Sequence, residues 1–256
     1  MAGIVINPAL CTGCGACAAD CVSGHIAVEG GAARVLPNGC IECGHCYAIC
    51  PAGAVSMPGY EMEGLENTAS MSEFDPDRLL LAMQSRRSIR QFTGEAVSEA
   101  DLRRIIEAGR FCPTGSNRQG VHFTVLRERL AEAEAEALRV FARVEKLAKL
   151  LRRMPMQLGL DEHFFFKGAP LAIVCSARSE VDAALAAAYM ELMAESLGLG
   201  VLYSGFFVYA AKHSEKLAAL LDLPAKCAPA VTLVIGHPDV SYMRRVPRRP
   251  ANVNMQ

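Results

Sequence analysis

Eight of the eleven cysteines in this 256-residue chain lie between residues 11 and 50, at spacings suited to metal binding. Two runs share the pattern Cys-x2-Cys-x2-Cys-x3-Cys; they are Cys11, Cys14, Cys17 and Cys21, and Cys40, Cys43, Cys46 and Cys50. A [4Fe–4S] cluster needs four thiolates, of which a tight loop of this kind supplies three. A zinc ribbon instead uses two Cys-x2-Cys pairs. The spacing therefore predicts two [4Fe–4S] clusters rather than zinc.

An internal repeat carries these two motifs. Each cysteine of the first motif recurs 29 positions later, and IVINPALCTGCGACAADCVSGHIAVEG aligns with ARVLPNGCIECGHCYAICPAGAVSMPG. Each half is predicted to form a short strand, a cysteine loop, a short helix and a second short strand. A repeat of this length has too little apolar core to fold unaided, so we expect the clusters to hold it together.

Residues 1–58 resemble the bacterial-type two-cluster ferredoxins, in which the fourth ligand of each cluster comes from the other motif. The resemblance implies one cluster on Cys11, Cys14, Cys17 and Cys50, and another on Cys40, Cys43, Cys46 and Cys21. Val22 stands where that family usually has proline. This departure alters a turn but removes no ligand. Such clusters transfer one electron at a time and cannot themselves bind an organic substrate, because all iron positions are occupied.

Further along the chain, three arginines and a serine lie within five residues, at Arg86, Arg87, Ser88 and Arg90. Guanidinium groups bind phosphate through paired hydrogen bonds, and a hydroxyl adds a donor. The same residues could instead form a basic helix terminus that offsets the helix dipole. Local chemistry alone leaves both interpretations open.

The order of four segments resembles the FMN-dependent nitroreductase family over about residues 77–256. These segments are RRSIRQF, FCPTGSNRQGVHF, GLGVLYSGF and a basic strip in YMRRVPRRPANVNMQ. The resemblance implies that Arg86, Ser88 and Arg90 bind the phosphate and ribityl end of FMN, with Arg87 contributing through its backbone. It also implies a homodimer with FMN at the subunit interface.

The same resemblance implies the remaining flavin contacts. Backbone N–H groups of Ser204 and Gly205 are expected to face flavin N5. The opposite subunit is expected to line the ring with Pro113, Thr114, Gly115 and Asn117. The basic strip is expected to close over the phosphate through Arg245 and Arg248, although Arg244 and Arg249 are close enough to leave the register open. Tyr203 is a further candidate for the substrate pocket.

Two features depart from that family or vary within it. Gln119-Gly120-Val121 stands where the family commonly has Gln-Pro-Trp after the asparagine, which could widen the pocket over the flavin. Residues 127–168 correspond to a variable region that often covers the active site. The stretch 152–168 is therefore either a lid or part of a peripheral helical hairpin.

Residues 59–75 are acidic and lack apolar periodicity, so they are predicted to be a linker. The second domain is predicted over residues 76–256. Two helices are predicted from their N-terminal caps, one after Asp75 or Asp77 and one after Ser98. Three more are predicted over 127–152, 180–197 and 213–221, and the second of these is expected to be a core helix. Strands are predicted in VHFTVL, PLAIVCSA, APAVTLVIGHP and GVLYSGF, the last running into a loop. The predicted fold class is α+β, with a small ferredoxin-like domain followed by helices around a central, mostly antiparallel sheet.

Composition agrees with a globular protein. The residues are 52% hydrophobic and 21% charged, and the net charge of −1 gives no reason to expect nucleic acid or a membrane surface as partner. The N-terminal residues have neither a basic region nor a long apolar run, so no signal peptide is predicted. A reducing cytoplasm is the expected location, because the cysteines have metal-ligand spacing.

These expectations combine into one hypothesis for function. Reduced ferredoxin, or alternatively NAD(P)H, supplies electrons; FMN exchanges them with the clusters one at a time and delivers hydride from N5 to a nitroaromatic, quinone or enone. No protein side chain is predicted to act as a catalytic acid. One alternative is a non-enzymatic carrier that links ferredoxin and nicotinamide pools, and another is a redox sensor.

Overall fold

The computed structural model describes residues 3–37, 39–65, 73–150 and 159–256. The chain divides into two compact units. The first comprises Met1–Phe74 with Gly115–Arg118, and the second comprises Asp75–Thr114 with Gln119–Gln256. The first unit thus contains the predicted ferredoxin-like domain and four residues from the predicted flavin-lining segment.

Each half of the repeat folds as the sequence predicts. The first half forms β1 (Val5–Ile6), α1 (Ala16–Ala19) and β2 (Ile26–Glu29), and the second forms β3 (Ala32–Val35), α2 (His45–Ala48) and β4 (Val55–Ser56). β1 pairs antiparallel with β4, and β2 pairs antiparallel with β3. The two helices begin after Gly15 and Gly44, whose φ angles of 79° and 75° lie in the left-handed region that glycine adopts readily.

The core of the first unit is small. Its buried apolar residues come from both halves of the repeat and include two motif cysteines: Ile4, Cys17, Ile26, Ala33, Cys46, Val55 and Met57. A core of this size supplies little stability by itself. This observation agrees with the expectation that bound clusters stabilise the unit.

The second unit contains six helices and four strands among the described residues. The helices are α3 (Pro76–Ser85), α4 (Glu99–Arg110), α5 (Leu130–Leu150), α6 (Glu180–Ser196), α7 (Gly205–Lys212) and α8 (Glu215–Leu221). The strands are β5 (His122–Leu126), β6 (Leu171–Ala177), β7 (Gly200–Tyr203) and β8 (Ala228–Gly236). The sheet has the order β5-β6-β8-β7 with every neighbouring pair antiparallel, as the predicted fold class requires.

Local sequence signals account for two helix starts. Asp75 caps α3 by accepting the N–H groups of Asp77 and Arg78 at 2.9 and 3.1 Å, and Pro76 occupies the first helical position. Ser98 caps α4 by accepting the N–H of Asp101 at 3.0 Å. Both starts agree with the sequence prediction.

Both faces of the sheet are covered. Alternate residues of β6 point to opposite sides: Ala172 and Val174 pack with the side chains of α5, α7 and α8, whereas Leu171 and Ile173 pack with those of α4 and α6. Gly109 permits the approach of α4 to α6, because a Cβ there would lie 2.7 Å from Met190 Cγ.

Two helices have features that the sequence did not indicate. α6 is buried on one face only, and the opposite face exposes apolar side chains of Val181, Leu185, Tyr189 and Leu192. α6 is a core helix as predicted, but its nearly uniform apolar composition gave no signal that one of its faces is exposed. The predicted loop after β7 is wrong, because the chain enters α7 directly after Ser204. No helix within the described ranges is long and apolar enough to span a membrane.

Candidate functional site

The cysteines of the two motifs surround two cavities in the first unit. Cys11, Cys14, Cys17 and Cys50 line one, and Cys21, Cys40, Cys43 and Cys46 line the other. The two cavities are of nearly equal size. In each, the fourth cysteine comes from the other motif, so the two groups have the same members as the sets expected from the ferredoxin resemblance.

Each cavity is lined by four thiols, the number of ligands that a [4Fe–4S] cluster needs. Among the described residues, 3–37, 39–65, 73–150 and 159–256, there is no group of three or more His, Cys, Asp or Glu side chains that could hold a single metal ion. A [4Fe–4S] cluster needs no such group, because each thiolate binds a different iron atom.

Backbone N–H groups point at cysteine sulfurs in both halves of the repeat. Such bonds include those that Cys21 accepts from His25 at 3.2 Å, Cys50 from Ala54 at 3.3 Å, Cys11 from Ala33 at 3.3 Å and Cys40 from Glu42 at 3.4 Å. The first two bonds are equivalent under the 29-residue repeat. Hydrogen bonds of this kind stabilise thiolates and tune the potential of a cluster.

The thiol pKa values shift in two directions. Burial raises the pKa of Cys17 and Cys46, which occupy equivalent positions in the two halves. The N–H of Ala33 lowers the pKa of Cys11. Because a thiolate is the ligand form, the two buried cysteines depend on a bound cation to ionise at neutral pH.

In the second unit, the predicted phosphate segment lies along β7. Ser88 forms an isolated parallel bridge with Val201, and the N–H of Ile89 donates to Val201 O at 3.0 Å. Gly200 permits this approach, because a Cβ there would lie 2.4 Å from Ile89 Cγ1. β7 leads directly to Ser204, so the structure brings the phosphate segment and the predicted N5 loop to the same strand.

The same segment is joined to the C-terminal strip. Thr93 N–H donates to His237 O at 3.0 Å, and Asp239 N–H donates to Gln91 O at 2.9 Å. Further along, a guanidinium N–H of Arg245 donates to the side-chain oxygen of Gln84 at the end of α3. A cleft is lined there by Met83, Gln84, Arg245, Val246, Pro247 and Arg248. Both predicted C-terminal arginines therefore lie beside the helix that precedes the phosphate segment.

Arg86 belongs to a polar cluster that the sequence analysis missed. Its Nη1 donates to Glu191 Oε1 at 2.6 Å, and the Tyr203 hydroxyl donates to Glu191 Oε2 at 3.2 Å. One turn later on α6, Glu195 has a buried Oε1 without a hydrogen-bond partner among the described residues. Glu191 and Glu195, the charged residues of α6 after its first turn, were the available sequence signal for this cluster.

Burial and charge perturb two members of this polar cluster. Burial raises the pKa of Glu195, and the neighbouring Glu191 raises it further. Burial also raises the pKa of Tyr203, and the carboxylate of Glu191 adds to the shift. Tyr203 therefore stays protonated at neutral pH and acts as a hydrogen-bond donor.

The other arginines of the phosphate segment have different surroundings. Arg87 turns back on the end of α3, where its Nη1 and Nη2 donate to Arg86 O at 2.7 Å and Gln84 O at 3.3 Å. Arg87 thus satisfies helix-terminal carbonyls, as the helix-terminus interpretation predicts. Its buried Nε has no hydrogen-bond partner among the residues that the structure describes. Arg90 is exposed to solvent.

The predicted N5 loop is the start of α7. Ser204 is buried and is the N-cap residue, and its N–H donates to Thr232 O at 2.9 Å. Gly205 is the first helical residue, and a Cβ there would meet no atom within 4 Å. Because the first N–H groups of a helix lack intrahelical acceptors, this position can donate to an acceptor edge of a ligand.

The predicted ring-lining residues are divided between the two units. Pro113 and Thr114 belong to the second, where Thr114 Oγ1 accepts the N–H of Gln119 at 2.9 Å. Gly115 and Asn117 belong to the first and begin and end a 3-10 turn. Their predicted contact with a flavin stays a prediction.

The predicted lid is described only in part, because residues 151–158 lie outside the described residues. Phe165 and Phe166 of the same stretch are almost fully buried. Their rings contact Phe207, and Phe165 also packs edge-on against Phe141. This aromatic part of the stretch therefore belongs to the core of the second unit.

Comparison with known proteins agrees with this geometry. The nitroreductase family matches residues 83–237, and a 4Fe-4S dicluster domain matches residues 3–51. An FMN reductase [NAD(P)H] from Bacillus subtilis (strain 168) is 27% identical over 196 residues, which cover 68% of this chain and 71% of that protein.

Solved structures give the same result. A nitroreductase with bound FMN from Desulfitobacterium hafniense DCB-2 is 26% identical, with a TM-score of 0.56 over 68% of this chain and 97% of that one. A nitroreductase with bound FMN from Bacteroides fragilis NCTC 9343 shares the fold at 19% identity, with a TM-score of 0.58 over 69% and 97% of the two chains. The chain therefore belongs to the nitroreductase family of oxidoreductases and carries a 4Fe-4S domain at its N-terminal end.

Proposed function

We propose that this nitroreductase-family enzyme is an FMN-dependent oxidoreductase that binds two [4Fe–4S] clusters, exchanges electrons between clusters and flavin, and reduces a small organic acceptor. The observation that carries this proposal is the pair of nearly equal cavities, each lined by four cysteines, in a chain whose other unit has the nitroreductase fold. The FMN-bound structures of relatives support the choice of flavin.

The cysteine groups provide the ligands for two clusters in this proposal. Cys11, Cys14, Cys17 and Cys50 would hold one, and Cys40, Cys43, Cys46 and Cys21 the other. The backbone N–H bonds to Cys11, Cys21, Cys40 and Cys50 would stabilise the thiolates. The cations of each cluster would ionise the two buried thiols, whose pKa values burial raises.

The phosphate end of FMN would lie beside the segment that follows α3. Arg86, Ser88 and Arg90 would bind it, with Arg87 contributing through its backbone. Glu191 would orient the Arg86 guanidinium, because its carboxylate accepts one of the guanidinium N–H groups. The buried Arg87 Nε has no hydrogen-bond partner among the described residues, so it could donate to an oxygen of the bound phosphate.

Two C-terminal arginines would complete this end of the site. Arg245 and Arg248 line the cleft beside α3, and Gln84 holds the Arg245 side chain. Arginine suits this role because its planar group binds phosphate through two hydrogen bonds at once.

At the ring end, the backbone N–H of Gly205 would donate to the flavin edge near N5, whereas the Ser204 N–H already donates to Thr232 O. Bound FMN would supply the exchange between one-electron and two-electron chemistry. Pro113, Thr114, Gly115 and Asn117 would line the ring from the partner subunit of a homodimer. The exposed apolar stripe of Val181, Leu185, Tyr189 and Leu192 on α6 supports a dimer, because a second copy would remove it from water.

The electron donor would be reduced ferredoxin or NAD(P)H, and the acceptor a nitroaromatic, quinone or enone. The fused 4Fe-4S domain favours ferredoxin, and the name of the Bacillus subtilis relative, an FMN reductase [NAD(P)H], favours NAD(P)H. A cytoplasmic location would suit both donors.

Anaerobic purification followed by iron, sulfide and flavin analysis tests the proposal. We expect two clusters and one FMN for each chain, and catalytic turnover of a nitroaromatic, quinone or enone. A chain that binds both cofactors but turns over no acceptor would instead be an electron carrier between ferredoxin and nicotinamide pools.

A further inference from the structure

The two cysteine loops of the repeat differ in the residue that precedes their second cysteine. Gly13 in the first loop has φ +68°, and a Cβ there would lie 2.1 Å from Gly31 O. The equivalent residue of the second loop is Glu42, which has φ 53° and carries a side chain in the same left-handed region. A residue other than glycine, asparagine or aspartate is uncommon in this region, so other contacts must hold it there.

Two side chains of the first unit supply such contacts. The Tyr60 hydroxyl donates to Glu42 Oε2 at 2.9 Å. The Asn117 amide Nδ2 donates to Ile41 O at 3.1 Å and to Glu42 O at 2.9 Å. One amide group therefore satisfies two successive carbonyls of the loop between Cys40 and Cys43.

The first of these carbonyls shares its peptide plane with a group that contacts a cysteine. Ile41 C=O and Glu42 N–H belong to the same peptide bond, which is planar. The Glu42 N–H donates to Cys40 Sγ at 3.4 Å. By fixing the direction of the carbonyl, Asn117 also fixes the direction of the N–H that points at the sulfur.

We propose that Asn117 is a positioning residue for the second cysteine loop, where it sets the hydrogen bond to Cys40 and thereby the potential of the cluster held there. The inference rests on the proposed binding of two clusters. It assigns to Asn117 a task beyond the flavin contact implied by the family resemblance. An N–H···S bond stabilises the extra negative charge of a reduced cluster, so its loss makes reduction harder.

The first loop has no equivalent need for an amide. Its left-handed residue is a glycine, and its Cys11 sulfur accepts the N–H of Ala33 from strand β3. A substitution at Asn117 is therefore expected to affect one cluster and not the other.

Two variants separate this role from a general loss of structure. Asn117→Asp keeps the size of the side chain and its tolerance of φ 51°, but it loses both donated hydrogen bonds. Asn117→Gly removes the amide and relaxes the backbone. The matched control is Asn7→Gly, because the Asn7 side chain also bonds a backbone group near a cysteine loop, the N–H of Ala9 at 3.0 Å.

The experiment is an anaerobic redox titration of the full-length holoprotein followed by electron paramagnetic resonance, with FMN content measured on the same samples. We expect one of two reduction waves to move to more negative potential in both Asn117 variants, whatever their FMN content, while the other wave stays unchanged. Asn7→Gly should leave the affected wave at its wild-type position.

Two results would overturn the inference. One is that both waves coincide with those of the wild type in both variants. The other is that FMN is lost while both waves stay in place, in which case Asn117 serves only the flavin. A wild-type protein without two cluster waves would defeat the proposed function itself, and this inference with it.

Discussion

Arg86 donates to Glu191 across a 2.6 Å contact that joins the predicted phosphate segment to the middle of α6. The two side chains are 24% and 11% exposed, so the pair is largely shielded from solvent. Tyr203 donates to the other oxygen of the same carboxylate. Glu191 therefore connects the start of the phosphate segment with the strand that leads to the predicted N5 loop.

Removing either partner of this pair is expected to be costly. Arg86→Met leaves the Glu191 carboxylate without its cation and next to Glu195, so we expect a loss of about 2–3 kcal/mol in the free energy of unfolding. Glu191→Gln keeps the shape and one acceptor, so it should cost less. Urea unfolding of both variants measures the difference. Equal stability of Arg86→Met and wild type would show that the pair contributes nothing.

The pKa of Glu195 predicts a pH dependence of stability. Burial raises this pKa in the folded protein. At a pH between the pKa of the unfolded state and that of the folded state, the native protein holds a proton that the unfolded protein has lost. Stability therefore falls as pH rises through that window. Glu195→Gln removes this dependence and is expected to stabilise the protein at neutral pH, because the buried Oε1 has no partner to lose.

Glu134→Gln is the contrasting variant for this measurement. Burial also raises the pKa of Glu134, but its Oε1 accepts the N–H groups of Phe165 and Phe166 at 2.9 and 3.0 Å. Replacing this carboxylate by an amide weakens both bonds, so the variant should be less stable than wild type at neutral pH. Denaturation curves at a series of pH values test the pair. Destabilisation by Glu195→Gln would contradict the assignment of an unsatisfied carboxyl.

Gly200→Ala is expected to weaken FMN binding. The added Cβ would lie 2.4 Å from Ile89 Cγ1, so the phosphate segment would have to move away from β7. Gly109→Ala is the matched control, because its Cβ would clash with Met190 at 2.7 Å in the core. Both variants should lose about 1–3 kcal/mol in the free energy of unfolding. Fluorescence titration with FMN should show a selective loss of affinity for Gly200→Ala, and equal affinities would contradict the proposed phosphate segment.

Gly13→Ala and Glu42→Gly compare equivalent positions of the two cysteine loops. A Cβ at Gly13 would lie 2.1 Å from a backbone oxygen, so the first loop cannot keep its shape. Glycine at position 42 adopts the left-handed backbone without strain. We expect Gly13→Ala to lose about half of the bound iron and sulfide, since one of the two clusters is affected. Full iron content in Gly13→Ala would count against the described loop.

The local geometry of the two cysteine loops was predictable because its sequence signals are local and repeated. The 29-residue offset relates Cys17 to Cys46 and Gly15 to Gly44, and the structure preserves both relationships. Helix starts at Asp75 and Ser98 were also predictable, because a capping side chain acts within three residues of its own position.

Long-range contacts were not predictable from the sequence. Arg86 and Glu191 are separated by 105 positions, and no local pattern indicates that they pair. The same holds for Asn117 and the carbonyls at Ile41 and Glu42. The one-sided burial of α6 was hidden because both of its faces are apolar.

The central claim is that clusters and flavin in this chain exchange electrons. The most direct measurement follows flavin absorbance under anaerobic conditions while NADH, NADPH or reduced ferredoxin is added to wild type and to a Cys14→Ala, Cys43→Ala double variant. The account predicts that ferredoxin bleaches the wild-type flavin and that the double variant loses this reaction while it retains FMN. Equal bleaching of the flavin by ferredoxin in both proteins would contradict it.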